Sequence, residues 1–187
     1  AKANALGEIE LLANAAPIEI GNRVWKDING DGIQGANEPG IAGITINLYN
    51  GAGTLLLATT TTDAEGNWYF NNSNVLSGIQ AYRGYNIRIS SAQFNMLGFG
   101  VLDGLFLASS DAAGNGYSDY SDSDAKLKAD GSAEIFITTE VSGSNNHNYD
   151  FGFTPSNSLL ATDYLTLTGY KKSLSALLNW ECGENEY

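Results

Sequence analysis

Apolar and polar residues alternate in short bursts along the middle of the chain, with turn residues between the bursts. Residues 44–49 (ITINLY) put Ile44, Ile46 and Leu48 on one face, the two-residue period of a strand buried on one side. Residues 18–26 form an earlier strand. Asn50-Gly51 and Ala52-Gly53 make a hairpin turn, and 55–62 returns. After a turn at 63–67 (DAEGN), Trp68–Phe70 starts another strand. Residues 85–89 alternate again, and 134–139 and 147–153 close the series. About seven or eight short strands between Gly/Asn/Asp turns predict an all-β fold, an antiparallel two-sheet β-sandwich. Its inward side chains are expected to be Ile44, Ile46, Leu48, Trp68, Phe70, Ile87, Ile89, Ile135 and Ile137.

Outside 18–153 the pattern changes. Residues 1–17 end in the alanine-rich LLANAAP and read as a linker or the remnant of an upstream region. TPSNS at 154–158 is a linker by composition. YLTLTGY and SLSALLNWE then read as two strands around a lysine-bearing turn. Residues 154–187 are therefore expected to be a linker and the truncated start of a following β domain.

Charge narrows the partners. With 9 basic and 21 acidic side chains the net charge is −12, which repels phosphate backbones and anionic lipid. No nucleic acid is expected as a partner. No apolar run approaches the roughly 18 residues that span a bilayer, so membrane insertion is not expected either. The single cysteine, Cys182, allows no intrachain disulfide.

Residues 27–38 carry the strongest chemical signal. They fit D-x-[DN]-x-[DN]-G-x5-E at every defined position. Calcium takes six to eight hard oxygens at about 2.3–2.6 Å, and alternate side chains at Asp27, Asn29 and Asp31 can converge on one point. Gly32 permits the sharp turn, the Ile33 carbonyl supplies a further oxygen, and Glu38 can close the shell with both of its own. The loop follows a strand (RVWK) and precedes Pro39-Gly40. The ion would thus staple a strand–strand connection and would not open a helix pair. A second acidic cluster spans Asp111, Asn115, Asp119, Asp122 and Asp124, the last two on one side of a strand. It reads either as a solvated acidic loop or as metal ligands, forming a second calcium site or completing the first. Asp63 and Glu65 precede Trp68 in what reads as an Asx turn.

Enzyme chemistry finds little purchase. His147 is the only histidine, and no H-E-x-x-H, phosphate-loop or nucleophile-elbow motif is present. His147 reads as an exposed residue beside the last strand. No catalytic residues are assigned.

The ordered set G-x-x-V-W-x-D-x-N-x-D-G-x-Q-x-x-x-E-x-G-I-x-G-I from Gly21 to Ile44, with DAEGNWYF, YSDSDAKL and NYDFGF further on, resembles the B-type repeats of serine–aspartate repeat adhesins, the SdrD B-like family. The resemblance covers 18–153. It implies an Ig-like or prealbumin-like sandwich of the collagen-adhesin B kind. Such a module binds calcium and spaces or stiffens a secreted or cell-surface bacterial protein. It would act as a monomer with neighbouring domains of the same chain as partners. The D-S-D-A stretch at 122–125 matches the family pattern, so the resemblance adds Asp119, Asp122 and Asp124 to the metal ligands. This copy is longer than a compact repeat across 72–132. The alternative function is a ligand-binding module that grips a glycan or host protein with the 72–110 region, through Tyr82, Tyr85, Phe94, Phe99 and Phe106. Some collagen-adhesin B-type relatives form a Lys–Asn isopeptide cross-link, for which Lys26 and Asn148 are the pair to examine. The tail is similar to the opening of a domain in proteins exported by the type IX system of Bacteroidetes.

Overall fold

A computed structural model describes residues 16–93, 100–112 and 120–155, with the backbone of 165–172 and 175–182. Its strands in chain order are β1 (Ile20–Lys26), β2 (Thr45–Asn50), β3 (Leu56–Thr61), β4 (Asn67–Phe70), β5 (Gly84–Ile89), β6 (Leu105–Leu107), β7 (Lys126–Leu127), β8 (Ala133–Thr138), β9 (Phe151–Pro155), β10 (Leu165–Lys172) and β11 (Ser175–Cys182). One sheet has the order β4-β1-β9-β6 and the other β3-β2-β5-β8-β7. Strands β10 and β11 pair antiparallel as a separate hairpin, on the two segments that the sequence reads as strands.

The sandwich follows from burial of the alternating face. All nine residues expected inward are at most 4% exposed. Val24, Trp68, Phe70, Phe151 and Phe153 from the first sheet meet Ile46, Leu48, Ile87, Ile89, Ile135 and Ile137 from the second in one core. Trp68 sits 5.9 Å from Phe70 and 6.0 Å from Phe151 between ring centroids. Burying each such side chain is worth about 1.5–3 kcal/mol, which ordering the chain largely offsets.

Two short edge strands, β6 and β7, go beyond the sequence reading. The last predicted strand also shortens. Residues 147–150 are not strand, and β9 begins at Phe151. Among the named strands the pairing is antiparallel except between β1 and β9, which run parallel with Val24, Trp25 and Lys26 opposite Phe151, Gly152 and Phe153. The Asx turn holds: Asp63 Oδ1 accepts from Glu65 N (3.0 Å) and Asn67 N (2.7 Å), bonds that hold its carboxyl below the usual range.

That turn returns the chain against β1. Val24 N donates to Gly66 O and Ile41 N to Val24 O, 2.8 Å each. A Cβ on Gly40 would lie 1.7 Å from Glu65 O, and one on Gly66, at φ +85°, 2.3 Å from Val24 O. Glycine is the only residue that fits either place.

Candidate metal centre

Strand β1 ends where Asp27 N donates to Phe153 O (2.9 Å), and the acidic loop starts there. Asp27 is fully buried. Its Oδ1 accepts from Gly30 N (2.6 Å) and its Oδ2 from Gly32 N (2.9 Å). Asn29 Oδ1 accepts from Asp31 N (3.1 Å), and Asp31 Oδ1 from Ile33 N (2.9 Å). Asn29 Nδ2 also donates to Asp31 Oδ2 (2.8 Å). Glu38, also buried, closes the loop: Oε1 accepts from Ile28 N and Oε2 from Gly35 N, both at 2.8 Å. Gly32 has φ +74°, and a Cβ there would sit 2.6 Å from Ser109 O.

The electrostatics of this loop are one-sided. Burial raises the Asp27 carboxyl above its ordinary value, the amides of Gly32 and Gly30 pull it back, and the charges of Glu38 and Asp31 raise it further. None of the ion pairs among the described residues involves this loop. The donors are all hard oxygens, with two buried carboxylates and no side-chain cation against them, which suits calcium. The carboxylates are turned onto the loop's own amides. Among the described residues no three acidic, histidine or cysteine side chains stand together at metal-holding spacing.

The structure divides the second acidic cluster. Asp122 is buried and bridges Ile33 in antiparallel fashion, with Gln34 N on Ser121 O (2.6 Å) and Ser123 N on Gly32 O (3.1 Å). Asp124 serves another place: its Oδ2 accepts from Asp150 N (2.6 Å), and its N donates to Asp150 O (3.0 Å). Asp111 is exposed and pairs with Lys126 at 3.2 Å. Asp119 and Asn115 lie outside the described residues.

Asp150 is the residue that the sequence reading passes over. It is fully buried, with Oδ2 accepting from Asn22 Nδ2 (2.8 Å) and Oδ1 from Arg23 N (3.2 Å). Burial first, and then the charge of Asp124, push its carboxyl up to about 8. The available signal was a carboxylate between the apolar residues of NYDFGF.

The remaining candidates separate. Tyr149 N donates to Gly21 O, which places Asn148 at the start of β1, while Lys26 lies opposite Phe153 at its end. At about 3.3 Å per residue that is roughly 16 Å, so the Lys26–Asn148 pair is not assembled. His147 Nε2 sits 3.0 Å from Glu19 Oε1 with its ring edge-on to Tyr69. Tyr85 is buried. Tyr82 and Phe106 are exposed, but one precedes β5 and the other is in β6 of the opposite sheet, so they form no common platform. Phe94 and Phe99 lie outside the described residues.

The SdrD B-like domain family matches residues 18–153. Colossin-B of Dictyostelium discoideum is 39% identical over 69 residues, which is 37% of this chain and 2% of that protein. A fibrinogen-binding protein of Staphylococcus epidermidis is 47% identical over 55 residues, 29% of this chain and 5% of that one. A bone sialoprotein-binding protein of Staphylococcus aureus is 42% identical over 69 residues, 35% of this chain and 6% of that one. The matched stretch is thus a small part of each relative's length. Among solved structures, the shaft pilin SpaA of Lactobacillus rhamnosus GG aligns at 13% identity over 89% of this chain and 74% of its own, with a TM-score of 0.35.

Proposed function

The chain belongs to the SdrD B-like domain family, non-enzymatic modules of cell-surface adhesins, and on that premise we propose that it is a calcium-stabilised structural spacer. The observation that carries this reading is the parallel pairing of β1 with β9. Residues 16–19 lead into the start of β1, and Pro155, the last described residue of β9, lies near the end of β1. These two points therefore lie at opposite ends of β1. Tension between them slides β1 along β9, so the bonds of that interface bear load together and do not open one after another. A module joined in this way suits a string of domains, in which it acts as a monomer. Of the four edge strands, β6 and β7 are too short to offer much for strand pairing with another molecule, and β3 and β4 are the longer edges.

Calcium enters at the loaded end. The ligands we propose are the side chains of Asp27, Asn29, Asp31 and Glu38 and the carbonyl of Ile33, with Asp122 adjoining across the bridge. The ion supplies charge neutralisation and cross-linking. The residues supply the connection: Asp27 N holds Phe153 O, and Ser123 Oγ accepts from Gly152 N (3.1 Å). In relatives named for binding fibrinogen or bone sialoprotein, a segment of this kind would hold a binding region clear of the surface.

The test is single-molecule pulling between flanking handles, with calcium and with chelator, beside native mass spectrometry. The expected result is retained calcium and an unfolding force that drops on chelation. An unchanged force with calcium removal confirmed, or a protein that retains no calcium, would refute the proposal.

A further inference from the structure

A cleft of about 510 Å³ opens between β7 and β8 on one side and the 146–149 segment on the other. It is distinct from the acidic loop; Asp124 in its lining is turned onto Asp150 N (2.6 Å), and the other charged side chains of its walls are paired. Lys126 Nζ lies 3.2 Å from Asp111 and Lys128 Nζ 3.1 Å from Glu134, whose other oxygen meets Arg88. An ionic ligand would have to break these pairs, so the lining favours a neutral polar one.

One wall is prepared for hydroxyl groups. Asn146 Oδ1 accepts from Asn148 N (3.0 Å), and Asn146 Nδ2 donates to the Tyr149 hydroxyl (3.0 Å). These bonds fix the backbone of Asn148 and the tip of Tyr149. The Asn148 carboxamide itself engages no protein group among the described residues. It offers a donor and an acceptor side by side, the pattern that two neighbouring sugar hydroxyls complete. On the facing wall Phe136 is 62% exposed. Its ring rests on Gly84, where a Cβ would stand 3.3 Å from it. A ring seated on bare backbone is held in place without being covered.

A pyranose has the matching surface, with an apolar C–H face and a rim of hydroxyls. We propose that this cleft is a carbohydrate-binding site for a neutral oligosaccharide, with Phe136 against the C–H face and Asn148 on the hydroxyls.

The probes are maltotetraose, cellotetraose, chitotetraose and mannotetraose, titrated into isotope-labelled protein in calcium buffer and followed by backbone amide shifts. A heparin tetrasaccharide serves as the charged control. The expected result is saturable shifts at 126–128 and 146–149 with at least one neutral probe. Asn148→Ala and Phe136→Ala should each weaken that binding by about tenfold at unchanged melting temperature, while Leu76→Ala leaves it intact. The wild-type shift map does not depend on the variants folding. Absence of saturable shifts with all four neutral probes, shifts confined elsewhere, tighter binding of heparin, or affinity indifferent to both substitutions overturns the proposal.

Discussion

Ile33 and Asp122 form an antiparallel bridge that closes the acidic loop against a segment far along the chain. Neighbouring backbone bonds from Gln34 and Ser123 tighten it, and the Ser123 hydroxyl continues the contact to Gly152 in β9. The loop is thereby built into the joint between β1, β9 and the 121–123 segment. A change at the loop should register in the stability of the whole sandwich.

The calcium response should therefore depend on the loop and not on acidic turns in general. Extracellular calcium sites bind with Kd of about 0.1–1 mM, so at about 2 mM calcium one site adds roughly 0.7–1.8 kcal/mol. Asp31→Ala should lose most of the rise in melting temperature between chelator and calcium. Asp63→Ala, in the Asx turn, should keep it while losing some basal stability. Thermal melts of the three proteins in both conditions decide this. An equal calcium response in the two variants would remove the loop from the account.

Two glycines separate backbone strain from steric exclusion. Gly66 and Gly104 both have positive φ, but a Cβ on Gly104 meets nothing within 4 Å, whereas one on Gly66 meets Val24 O and the backbone of Gly40 and Ile41. Gly104→Ala should cost about 1 kcal/mol for conformation alone. Gly66→Ala should cost several times that, because the turn must leave β1. Urea unfolding of both variants gives the comparison, and similar losses would contradict the packing described.

These cases show what the sequence could disclose. Ile44, Ile46 and Leu48 announce their face because alternation over six residues is a local pattern. The Asp27–Glu38 spacing and the Gly40 in the motif are local too. Strands β6 and β7 have three and two residues, too few for a period, and β6 pairs with β9 remote in sequence while β7 is the short arm of a hairpin with β8. The Ile33–Asp122 bridge is hidden for the same reason. Asp150 occupies a polar position beside alternating aromatics and looks solvent-facing. Its burial arises because β1 and the 122–124 segment both close over it, which no short window of sequence records.

The separation of Lys26 from Asn148 also has a direct readout. An isopeptide bond between them would release one ammonia, and intact-mass measurement detects that loss. The mass expected is that of the full chain, with normal tryptic release of peptides bearing either residue. A cross-linked peptide joining the two would contradict the parallel register of β1 and β9.

Asp150 makes stability depend on pH in a direction opposite to that of a paired carboxylate. Its folded value of about 8 lies above the ordinary 3.8, so between those values the native state holds a proton that the unfolded chain releases. Stability then falls as pH rises through this window, by at most about 1.4 kcal/mol per pH unit for one proton, and levels off above it. Asp63 and Asp130 are shifted the other way, and their contributions change only below about pH 4, so they do not mask the slope. Asp27 is raised, by burial first and then by the charges of Glu38 and Asp31, and adds to the slope in the same sense. Chelator keeps calcium from adding a second pH dependence through that loop. Asp150→Asn presents a neutral amide where the protonated acid stood, and its carbonyl can still accept from Arg23 N or Asn22. Urea unfolding in chelator at pH 5, 6, 7 and 8 should show the wild type losing stability steadily. The variant should be nearly flat, retaining only the part due to Asp27, and should overtake the wild type as pH rises. Parallel curves for the two proteins would mean that Asp150 is ionised in the folded state, with the buried cluster of Asp150, Asp124 and Asn22 holding a charge.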